Sequence, residues 1–90
     1  MWTIWEADGI GKVCRKLPVQ VVKKYELWKS LVRYNGAAML REFKGFHDEA
    51  LKGKWKGYRS SRLNLQFRVI YRLDWKKMAV WVEEINAHEY

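Results

Sequence analysis

The sequence contains one cysteine, Cys14, one proline, Pro18, and two histidines, His47 and His88, in 90 residues. A lone cysteine excludes an internal disulfide, so the fold must be held by packing, and it fits a reducing, cytoplasmic setting. One cysteine and two distant histidines also make a poor structural zinc set. Long apolar runs are missing as well. The longest, Met78 to Val82, falls far short of the roughly 20 residues that cross a bilayer. Met1 to Ala7 has neither the basic start nor the apolar stretch of a signal peptide. Acidic residues are scarce: 10 Asp and Glu stand against 18 Lys and Arg, for a net charge of +8. What is abundant is apolar and aromatic surface, at 49% and 16%, which excludes a disordered chain. At this length there is material for one core and one domain, residues 1–90.

The charge is concentrated. Residues 50–73 hold Lys52, Lys54, Lys56, Arg59, Arg62, Arg68 and Arg72 and not one acid, so this window carries +7 of the +8. A solvated, solubilising face is the plain reading of such a run. Interleaved Trp55, Tyr58, Phe67 and Tyr71 favour a polyanion surface instead, because ring faces beside cations suit unpaired bases and phosphates. Some of the six tryptophans must nevertheless fill the core.

Periodicity divides the chain into elements. Met1 to Glu6 alternates as a strand. Asp8 is placed as an N-cap, and Ile10, Val13, Cys14 and Leu17 line one face of a short helix, which makes Cys14 a packing residue. Pro18 suits the start of a second helix whose apolar face is Val21, Val22, Tyr25, Trp28, Leu31 and Val32. Asn35-Gly36 stops it, and Ala38, Met39 and Phe43 suggest another turn or two before a loop from Gly45. Gly57 to Leu63, Phe67 to Leu73 and Met78 to Ile85 then read as a three-stranded antiparallel meander, with Asn64 in the first turn. Simple hairpin register sets Leu73 against Met78 and Arg68 against Glu83, an ion pair that is the plain explanation of Arg68. The expected fold is α+β, order β-α-α-β-β-β: two N-terminal helices packed on a small antiparallel sheet whose other face is open for function.

Several chemistries lack their parts. Gly9-Ile10-Gly11-Lys12 has no phosphate-loop spacing, no serine sits in a nucleophile elbow, and His47-Asp48-Glu49 reads as a solvated loop. Cleaving RNA asks for less, since the neighbouring 2′-hydroxyl can attack the phosphodiester when cations hold the charge and a proton carrier stands by. The tail Asn86 to Tyr90 offers such carriers.

The segment Leu51-Lys52-Gly53-Lys54-Trp55-Lys56-Gly57-Tyr58-Arg59-Ser60-Ser61-Arg62-Leu63, then Phe67-Arg68-Val69-Ile70-Tyr71 and a last strand ending in His-Xaa-Tyr, resembles the RelE/ParE superfamily of bacterial type II toxins, most of all its RelE and HigB branch. The resemblance implies a ribosome-dependent mRNA endonuclease without cofactor, silenced by a cognate antitoxin through which the pair binds operator DNA. It implies that Arg68 and Arg59 hold the scissile phosphate, that His88 handles a proton, and that Tyr90 is the terminal aromatic of the site. Lys52, Lys54, Trp55, Lys56 and Arg62 become the RNA-docking set. Ser61 stands where some relatives have a lysine, and Glu84 is the candidate general base. The superfamily also holds gyrase poisons on the same fold, so gyrase poisoning is the alternative activity. A non-catalytic RNA-binding module is a further alternative.

Overall fold

The computed structural model describes residues 1–87. Alternation at the N-terminus forms β1, Thr3–Glu6. The short helix α1, Ile10–Cys14, starts from Gly9, whose φ of 93° lies in the left-handed region, and no side chain caps it. Glycine adopts that backbone without strain, so the cap assigned to Asp8 is replaced by a backbone turn. Helix α2, Val19–Asn35, follows Pro18, whose absent N–H is one of the donors a helix start leaves free anyway. Val21, Tyr25, Trp28 and Val32 form its buried stripe, while Val22 and Leu31 flank it half-buried.

Gly36 ends α2 with φ 87° and ψ 161°, and a Cβ there would stand 3.1 Å from Nε1 of Trp2. The break shifts the phase of the next helical turns. Helix α3, Met39–Glu42, and a 3-10 turn, Lys44–Phe46, bury Ala37, Leu40 and Phe46, each one to three residues from the expected Ala38, Met39 and Phe43.

The sheet adds β2, Glu49–Ala50, β3, Arg59–Arg62, β4, Phe67–Asp74, and β5, Ala79–Ala87, in the order β1-β5-β4-β3-β2. The meander β3-β4-β5 is antiparallel as expected. β1 joins β5 in parallel, which makes the sheet mixed, and the two-residue β2 extends the other edge. Asn64 turns the chain between β3 and β4, its Oδ1 accepting from the N–H groups of Gln66 and Phe67 at 2.8 and 2.6 Å.

The β4-β5 register differs from simple hairpin expectation. Leu73 faces Val80 and Arg68 faces Asn86, two and three residues beyond the expected Met78 and Glu83. Met78 stays in the turn with φ 51°, where its N–H reaches the Trp75 carbonyl. A further shift between Ile70 and Tyr71 leaves Glu83 as an extra residue on β5. The cross-strand Arg68–Glu83 ion pair is therefore not formed.

The helices cover the sheet face that carries Val69, Tyr71, Val80, Val82 and Ile85. Trp28 sits at the centre, its ring 5.2 Å from Tyr71 and 5.9 Å from Tyr25. Only Trp2 and Trp28 of the six tryptophans are buried. Among the described residues no helix is long and apolar enough to cross a membrane.

Candidate nucleic-acid interface

Strand pleat separates the basic residues. Side chains alternate between faces along a strand, and ladder partners share a face. Tyr71 and Val69 face the helices, so their partners Arg59 and Ser61 do too. Arg62 and its partner Arg68 project from the far face, together with Asn86 and, one ladder step along, Ile70 and Glu84. Like charges directly opposite each other destabilise a sheet pair. Arginine guanidiniums suit bidentate binding of an anion such as a phosphodiester, and the ladder brings two of them to opposed positions.

The far-face cluster is tied by hydrogen bonds. Arg68 Nε donates to Asn86 Oδ1 at 3.2 Å, and Asn86 Nδ2 donates to Glu84 Oε2. This chain places the carboxylate of Glu84 on the same surface as the arginines. Arg62 also borders a cleft of about 280 Å³ with Lys24, His47 and Asn64.

Arg59 has a different role. Its Nε and Nη2 each donate to Asp48 Oδ1 at 2.7 Å, and the Asp48 side chain is fully buried. Asp48 Oδ2 accepts from Ser61 Oγ at 2.6 Å and from the Tyr71 hydroxyl, and Ser61 Oγ accepts from Trp28 Nε1 at 2.9 Å. The carboxylate thus links the loop after α3 to β3, β4 and α2. Burial alone would lower the Arg59 guanidinium pKa, but the bond to Asp48 and its charge outweigh that and raise it. Burial first, then the Asp48 charge and hydrogen bond, pushes the Tyr71 hydroxyl far above its usual value. The sequence reads Asp48 as a solvated loop residue and places Arg59 with Arg68; in the structure Asp48 is buried, and the pleat turns Arg59 to the helix side, where it pairs with Asp48. The missed signal is His47, whose left-handed φ of 44° turns the chain so that Asp48 points inward; histidine is among the residues enriched there.

The lysines form a third group. Leu51 N–H donates to the Tyr58 carbonyl at 2.9 Å and closes a loop around a 3-10 turn, Gly53–Trp55. Lys52, Lys54 and Lys56 are exposed on it. Lys54 Nζ lies 5.8 Å from the centre of the Trp55 ring, which packs edge-on against Tyr58. This loop enters the Arg59 end of β3, about 10 Å along the strand from Arg62. His88 and Tyr90 lie outside the described residues. β5 brings the chain to Ala87, opposite Phe67 and one residue past Arg68's partner.

No protein-family model and no curated protein matches the sequence. Solved structures do match in fold. A chain of the RelE–RelB complex from the archaeon Pyrococcus horikoshii superposes with a TM-score of 0.76 at 19% identity, over 96% of this chain and 93% of that one. YafQ from E. coli gives 0.73 at 18%, over 98% and 94%. A chain of the heterotetrameric YoeB–YefM toxin-antitoxin complex from Staphylococcus aureus gives 0.71 at 20%, over 100% and 99%. The element order, the mixed five-stranded sheet and these superpositions agree that the chain has the α+β fold of the RelE, YafQ and YoeB toxins.

Proposed function

We propose that this protein is the toxin of a type II toxin–antitoxin pair and that it cuts mRNA on the ribosome. The observation that carries the reading is the Arg62–Arg68 pair, two cations at opposed ladder positions on the face of a RelE-like sheet turned away from the helices. Arg68 and Arg62 neutralise the phosphodiester as the 2′-hydroxyl oxygen bonds to phosphorus and the 5′-oxygen leaves, giving a 2′,3′-cyclic phosphate and a 5′-hydroxyl. Glu84, oriented through Asn86, takes the 2′-hydroxyl proton, and His88, with Tyr90 near the end of the same tail, returns one to the departing oxygen. Lys52, Lys54, Lys56 and Trp55 hold the RNA away from the bond that breaks. Arg59 supports the sheet rather than the phosphate. A small acidic antitoxin suits capture of this +8 chain by charge complementarity, and the pair would bind operator DNA through that partner in the cytoplasm.

Controlled expression with mapping of mRNA 5′ ends tests the reading. New ends are expected with the wild type, and Arg68→Ala, checked for folding by circular dichroism, should lower their rate of appearance about 10²–10³-fold, as His88→Ala should lower it in part. Growth arrest that persists in both variants without new mRNA ends would sink the mechanism. Altered plasmid supercoiling with intact mRNA would assign the arrest to gyrase instead.

A further inference from the structure

The far face carries a second feature that phosphate chemistry does not use. Trp5 of β1, Trp81 of β5 and Arg72 of β4 are neighbours in one row of the ladder, since Trp5 pairs with Trp81 and Trp81 with Arg72. The two indoles stack with ring centres 5.5 Å apart and planes 17° from parallel, and the Arg72 guanidinium carbon lies 5.0 Å from the Trp81 ring centre. The row runs to β1, the edge strand of the sheet among the described residues, and Trp5 is 51% exposed. Trp5 thus ends the row with about half of its surface open to solvent.

We propose that Arg72, Trp81 and Trp5 form a base-stacking subsite for single-stranded RNA; the inference rests on the RNA reading of this face. Indole faces accept any base, and a guanidinium stacked behind them adds attraction for phosphate and for the π-system. Position supports the same occupant. Arg72 follows Arg68 by four residues on the same face of β4, about 13 Å away along the strand. About four stacked nucleotides, or fewer extended ones, cover that distance at about 3.4 Å each. Trp5 lies two strands across from Arg72, about 10 Å further at right angles, so a strand whose phosphate sits at Arg68 reaches Trp5, about 16 Å away, with a base about five stacked nucleotides on.

The test uses the purified full chain and a short 2′-O-methyl RNA, which lacks the attacking hydroxyl and cannot be cut, with fluorescence anisotropy as readout. Trp5→Leu, a change at an exposed position, is expected to weaken binding about 5- to 100-fold while leaving its salt dependence unchanged. An oligonucleotide abasic throughout, with the same phosphates, should bind wild type and Trp5→Leu equally. Arg68→Gln should instead weaken both oligonucleotides and flatten the logarithmic salt slope by about 0.7. Equal affinity of wild type and Trp5→Leu for the intact RNA overturns the inference, even where Trp5→Leu weakens capture by a protein partner. So does an equal loss on intact and abasic RNA. If Trp5→Leu behaves as expected while no mRNA is cut in cells, the subsite stands and the nuclease reading falls.

Discussion

Asp48 is the residue whose surroundings decide most about this sheet. It is fully buried, and Arg59, Ser61 and Tyr71 all direct donors at its two oxygens. A buried pair contributes little relative to an apolar substitute, but removing one member leaves the other without compensation. Asp48→Asn keeps the shape, removes the charge and turns an amide donor toward groups that already donate. Urea unfolding is expected to show a loss of about 3–5 kcal/mol with an unchanged denaturant slope. A loss below about 1 kcal/mol would mean that the network does not bear on stability. At this scale Arg68 was legible in the sequence, because an arginine in an alternating strand must face something polar. Asp48 was not legible, since nothing in a His-Asp-Glu run distinguishes a solvated carboxylate from one that three distant donors enclose.

Among the elements, α2 and β4 emerge directly from periodicity, and β5 nearly so. The spacing of Val21, Tyr25, Trp28 and Val32 could only bury one helical face. Strand register escaped because it depends on turn and bulge geometry: a left-handed Met78 and the extra Glu83 move Arg68 from an acid to an amide. The short β2 escaped because two residues carry no period. Gly36 shows how a stop signal can have a second function. Its φ and ψ belong to a region open essentially to glycine alone, and the missing Cβ leaves room for the Trp2 indole. Gly36→Ala is expected to cost about 2–3 kcal/mol, measured by thermal or chemical unfolding. A variant as stable as the wild type would show that the α2 terminus and Trp2 readjust freely.

Across the whole molecule, two buried hydroxyls join the layers. Tyr25 on α2 donates to Glu6 on β1 at 2.5 Å, and Tyr71 donates to Asp48. Burial, reinforced by the bonded carboxylate, raises both hydroxyls far above the ordinary tyrosine range. The unfolded chain therefore loses these protons first. Stability from them is complete below about pH 10 and declines as pH rises further, by up to about 1.4 kcal/mol per pH unit for each tyrosine. Urea titrations across that range should show a shallower alkaline decline in Tyr71→Phe than in the wild type. Identical declines would refute this account of the tyrosine's environment.

Sequence alone determined the α+β class, the helical stripe, the central strands and the concentration of charge in residues 50–73, because composition and periodicity are local properties of a chain. Tertiary structure decided how that charge is used. One-residue alternation and long-range pairing sent Arg59 to the helix side and Arg68 to the far side, and seated Arg62 opposite Arg68. They also aligned Trp5, from the first residues of the chain, with Trp81 near its end. Such choices depend on which strands meet and in what register, and no short window of sequence contains both partners.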